Sequence, residues 1–86
     1  MTWDAASFKE KLDKEHQFPG NYLFKFIVPI QYKNDLLDIL PQGQVSFRNS
    51  SNNQYISITL TAFMESSDKI VNVYLKAHSI SGIIAL

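Results

Sequence analysis

The chain has 86 residues, 45% of them hydrophobic, which is one domain's worth of sequence and enough apolar material to oppose the entropy of ordering it. Its 8 basic and 8 acidic side chains cancel, so no broad cationic field is available for nucleic acid or anionic lipid. With no cysteine it has no disulfide, no thiolate metal site and no Cys nucleophile. The longest apolar run, Ile83 to Leu86, is far short of the roughly 20 residues a membrane span takes, and the charged start is unlike a signal peptide. A soluble cytoplasmic protein is expected.

Residues 1–17 read as a helical arm distinct from a domain over 18–86. Lys9 to Glu15 holds six charges in seven positions, Ala5, Phe8 and Leu12 recur at helical spacing, Thr2 or Asp4 caps the start, and Trp3 anchors the arm. Pro19 ends it. Tyr22 to Val28 then alternates as a strand whose aromatic side faces the core and whose Lys25 faces away. After Pro29, Asn34 or Asp35 caps a short helix carrying Leu36, Leu37, Ile39 and Leu40, which Pro41 and Gly43 stop.

A second strand covers Gln44 to Asn49, with Val45 and Phe47 on one side and Ser46 and Arg48 on the other. The Ser/Asn cluster Asn49 to Asn53 is hairpin chemistry, because asparagine tolerates positive φ. It leads into the clearest alternation in the chain: Ile56, Ile58, Leu60 and Ala62 inward, Tyr55, Ser57, Thr59 and Thr61 outward. Ser66 or Ser67 caps a second helix whose stripe is Ile70, Val73, Tyr74 and Ala77. Ser79 to Leu86 is expected as a last strand with Ile83 and Ala85 on the open side.

The order strand, helix, strand, strand, helix, strand is the split βαβ plan. The predicted fold class is therefore α+β: a ferredoxin-like βαββαβ sandwich, a four-stranded antiparallel sheet with two helices on one face, plus an extra N-terminal helix. Both crossovers are long enough to be right-handed connections, the first and third strands are central, and the other face of the sheet is open.

The residues from about Phe18 to Leu86 resemble the small bacterial YbeD-like family. The resemblance is carried by Phe18 and Pro19 ahead of Phe24, Lys25 and Phe26, by Ser50, Ser51, Tyr55, Ser57 and Thr59, by Ser66, Asp68, Ile70, Val73 and Tyr74, and by a terminal apolar strand closing on Leu86. Asn53 and Val28 stand where that family tends to carry glycine, and residues 1–15 have no counterpart in it. The resemblance implies a fold like that of the ferredoxin-like regulatory, ACT-type domains, and it transfers no catalytic residues.

Catalytic constellations are few. His16 and His78 lie far apart in sequence, without the HxH or HExxH neighbours of a metal site. Glu65 and Asp68 sit where acidic residues stabilise a helix N-terminus, and Asp35 and Asp38 share one turn of the short helix, as ordinary helix electrostatics allows. The three glycines are scattered, so there is no phosphate loop, and the single arginine, Arg48, falls on the edge strand, away from where acylphosphatase chemistry needs it. RNA recognition on this topology takes aromatics on the open face and a phosphate footprint, and neither is expected here. We therefore expect no enzyme, no cofactor, no metal and no nucleic-acid partner.

What remains is the open face. Its expected partner-binding residues are Leu23, Lys25, Ile27, Arg48, Ser57, Thr59 and Ile83, greasy on one half and wet on the other, with the N-terminal helix covering it through Phe8 and Leu12 or a second subunit doing so. Lys25 lies between the halves, its stem over apolar neighbours. The expected function is a non-catalytic regulatory or adaptor module that binds a partner protein, or a second copy as a homodimer, through this face or a sheet edge. The alternative is an ACT-like sensor of a small metabolite at the loop Pro29 to Lys33.

Overall fold

The computed structural model describes residues 4–86, so Thr2 and Trp3, named above as cap and anchor, lie outside the described residues. Asp4 caps the first helix, α1 (Ala5–Glu15): its carboxylate accepts from the Ala6 N–H at 3.0 Å and from the Ser7 hydroxyl at 2.9 Å. The Ala6 bond, with a longer one from the Ser7 N–H at 3.5 Å, satisfies backbone donors that the first helical turn otherwise leaves free. The helix surface is laced by Lys9 to Asp13 at 3.0 Å and Lys14 to Glu10 at 3.5 Å, both one turn apart.

Strand β1 (Gly20–Pro29) follows a cis Phe18–Pro19 peptide, and a 3₁₀ turn over Ile30–Tyr32 leads into α2 (Lys33–Ile39). No side chain caps α2; Asn34 and Asp35, the expected caps, lie inside its first turn, where Asp35 suits the dipole instead. Strands β2 (Gln44–Asn49) and β3 (Tyr55–Met64) form a hairpin whose turn puts Asn53 at φ 58°. Helix α3 (Ser67–Ala77) is capped by the Ser66 hydroxyl, which accepts from the Lys69 N–H at 3.4 Å. The chain ends in β4 (Ile84–Ala85).

The sheet is antiparallel in the order β2-β3-β1-β4, so β1 and β3 are central, as expected. The α+β class with a four-stranded antiparallel sheet stands, and the arrangement is consistent with a ferredoxin-like fold. Phe24, Phe26 and Val28 of β1 meet Ile56, Ile58, Leu60 and Ala62 of β3 on one face. Leu36 of α2 and Ile70, Val73, Tyr74 and Ala77 of α3 close over them. Tyr74 lies against both Phe24 and Phe26, ring centroids 5.7 and 5.4 Å away. Burial pushes its hydroxyl above the ordinary phenol range, and the Tyr22 hydroxyl at 3.5 Å adds to this.

Two expectations fail here. The first is the site of α1. The helix does not cover the open face; it packs on α3, in the helical layer. Phe8 meets Tyr74 edge-on at 4.9 Å, Leu12 is 3% exposed within the main core, and Lys9 reaches Asp68 at 3.8 Å. The Ser67 hydroxyl beside Asp13 ties the two helices again and, with Lys9, holds the Asp13 carboxyl below its ordinary range. An apolar stripe flanked by charges needs an apolar partner flanked by matching polar groups, and α3 offers both where the sheet offers no carboxylate or helix end.

The second failure is the last strand. Ser79–Ile83 is turned rather than extended, and Gly82 at φ 76° resets the parity. Ile84 lies across from Ile27 and Ala85 from Phe26. Ile83, expected on the open face, is instead half-buried against the core, while Ile84 takes its place.

Candidate functional site

Residues opposite one another in an antiparallel ladder share a face. The open face therefore consists of rows across the sheet: Leu23 with Thr61 and Gln44; Lys25 with Thr59 and Ser46; Ile27 with Ile84, Ser57 and Arg48. Six of the seven expected residues, Leu23, Lys25, Ile27, Arg48, Ser57 and Thr59, come together there, and Ile83 does not.

The structure adds apolar members that the sequence reading missed. Phe63, opposite Asn21, is 64% exposed on the same face, beside Leu23 at 58%. Leu86 is 62% exposed, and its N–H donates to the Lys25 carbonyl at 2.9 Å, which sets it opposite Lys25. A signal for Phe63 was present: carrying the β3 alternation one step beyond Ala62 points it outward.

Electrostatically the face is one-sided. The four strands contain Lys25 and Arg48 and no Asp or Glu, and neither cation makes an ion pair among the described residues. All eight carboxylates lie in helices, at their caps or in the Glu65 connection. A shallow cup of about 230 Å³ opens between Ile27, Arg48, Ser50, Tyr55 and Ser57. Its chemistry suits an apolar group that carries a carboxylate.

The other surfaces are different. A cleft of about 440 Å³ lies between the 3₁₀ turn, α2 and the 79–81 turn, lined by Tyr32, Asp35, Asp38, Ser79 and Ser81. His16 packs edge-on against Tyr22 at 5.3 Å, and His78 is the C-cap of α3. Among the described residues no three His, Asp or Glu side chains gather to hold a metal, and no helix is long and apolar enough to cross a membrane.

Against known families, the model described as "Protein of unknown function (DUF493)" matches residues 13–86, which includes every strand and the end of α1, so residues 13–15, expected to lie outside the family, fall within it. Searches of curated proteins and of solved structures found no match.

Proposed function

The chain belongs to the DUF493 family of unknown function, the YbeD family, and from its own surface we propose that it is a non-catalytic regulatory or adaptor module of ferredoxin-like fold, acting in the cytoplasm. Its open sheet face docks a partner protein through an apolar segment that carries carboxylates. The observation that supports this most is the uncovered face itself. Leu23, Phe63, Ile84 and Leu86 are exposed around two cations that make no ion pair among the described residues, and α1, expected to cover them, packs on α3 instead. Exposed apolar groups in one patch mark contacts, and cations without local counter-charges select an acidic one. Thr59 and Ser57 offer hydroxyls between the cations for orienting polar groups of the partner.

The test is site-specific photo-crosslinking from Ile84, with Lys76 on the helical side as control, followed by measuring the affinity of the identified partner for the purified chain. The Lys25→Glu, Arg48→Glu double variant is expected to weaken that affinity at least about a hundredfold, while Lys69→Glu leaves it unchanged. Equal loss in both variants would sink the reading.

A second reading, the metabolite sensor, is favoured by the cleft beside the 3₁₀ turn. Two carboxylates and three hydroxyls there suit an amine-bearing ligand. Saturable amide shifts confined to Tyr32–Asp38 and Ser79–Ser81 on adding amino acids or diamines would support it, and shifts spread evenly over the chain would count against it.

A further inference from the structure

We propose that the free edge of β2 is a strand-addition site whose occupant is β2 of a second copy of this chain, the two strands running antiparallel about a two-fold axis at Ser46. The backbone parity comes from the hairpin end, where the Ser50 N–H donates to the Tyr55 carbonyl at 2.9 Å. In the unbroken register that follows, Gln44, Ser46 and Arg48 turn their peptide groups toward β3. Val45, Phe47 and Asn49 then aim their N–H and C=O groups outward, with no strand beyond them among the described residues.

Side chains on this edge are equally unfinished. Val45 and Phe47 point to the helix side, opposite Leu60 and Ile58, yet remain 42% and 44% exposed, because the seven-residue α2 does not cover β2. Beside Val45 runs a groove of about 530 Å³ lined by Leu37, Leu40, Pro41 and Leu60. Edges that must stay free are usually guarded by proline, bulges, covering elements or several charged side chains. β2 has no proline and no bulge, and its one charge, Arg48, lies on the open face.

Self-pairing is selected by the sequence of the strand. A two-fold at Arg48 would oppose two guanidinium groups, and one at Phe47 would bring together two Lys33 ammonium groups, each held 4.5 Å over its Phe47 ring. Centred on Ser46, the register exchanges four backbone hydrogen bonds between Val45 and Phe47 of the two copies and sets Gln44 across from Arg48. It also lays each Phe47 ring beside the other copy's Val45 and its apolar groove. The face so used is not the open one, so the partner-binding reading stands or falls separately.

Sedimentation equilibrium from micromolar to near-millimolar concentration is expected to show a monomer–dimer equilibrium. Ser46→Cys, in a chain with no other cysteine, is expected to form a covalent dimer on oxidation. Directly opposed residues of a non-hydrogen-bonded pair have Cα atoms about 4.5 Å apart, within disulfide reach. The control Ser81→Cys should not link. Phe47→Lys should weaken association at least about a hundredfold, and Val45→Pro, which deletes only an outward N–H, at least about tenfold. Circular dichroism should show both variants folded. A chain that stays monomeric at near-millimolar concentration overturns the proposal, as does a dimer indifferent to both variants or one broken instead by Leu23→Lys. A dimer that both variants abolish but Ser46→Cys fails to link overturns the Ser46 register.

Discussion

At the scale of single residues, a glycine beside the sheet and a leucine under the first helix have the least room for change. Gly43 precedes β2, and a Cβ there would overlap the carbonyl oxygen of Thr61, which is backbone and cannot step aside. Gly43→Ala should therefore lower stability by about 1–3 kcal/mol, through overpacking rather than lost contacts, as read from urea unfolding. Leu12 is the one α1 side chain buried in the core, and Leu12→Ala should cost about 2–4 kcal/mol. A loss below 1 kcal/mol would mean that α1 is not docked as described. The same unfolding experiment on Ser66→Ala should show about 1 kcal/mol for the α3 cap.

At the scale of elements, what could be read from the sequence is what short-range patterning controls. β3 announces itself because isoleucine, leucine and alanine alternate with hydroxyl residues over a full strand, and α3 because its stripe follows a serine cap. The docking of α1 was not legible: Ala5, Phe8 and Leu12 fit any apolar surface, and the choice of α3 rests on Tyr74, Ser67 and Asp68, distant in sequence. Nor was β4, because Ile80, Ile83, Ile84 and Leu86 are apolar in both parities and only the turn at Gly82 picks one. That error placed Ile83 on the site and hid Ile84 and Leu86. The polar ties of α1 also carry a pH signature. Hydrogen bonds from Ser7 and Ala6 hold the Asp4 carboxyl below its ordinary range, as Ser67 and Lys9 do for Asp13. A carboxyl with a depressed folded value contributes stability that is complete above its unfolded value and fades as pH falls through the folded one. Amide exchange in α1 should therefore quicken below about pH 4 before that of β1 and β3 does. In Asp4→Asn, which keeps the cap but not the titration, the Ala6 and Ser7 amides should lose this dependence.

At the scale of the whole molecule, a net charge of zero conceals a division: the helical layer holds every carboxylate but the one on the Glu65 connection, and the sheet holds only cations. Lys25 and Arg48 make no ion pair among the described residues, so reversing both should leave the unfolding midpoint nearly unchanged; surface charges of this kind contribute little to folding. Their role would then be external and should depend on ionic strength. Screening lengths fall from about 30 Å at 0.01 M salt to about 3 Å at 1 M, so a carboxylate-bearing partner attracted to this face should associate more slowly as salt rises. Dissociation, governed by Leu23, Phe63, Ile84 and Leu86, should change far less. Stopped-flow or surface-binding kinetics across a salt series separates the two rates. A salt effect confined to dissociation would move the recognition from the cations to the apolar rows, whereas an association rate that responds in wild type and goes flat in the Lys25→Glu, Arg48→Glu variant assigns the steering to these two side chains.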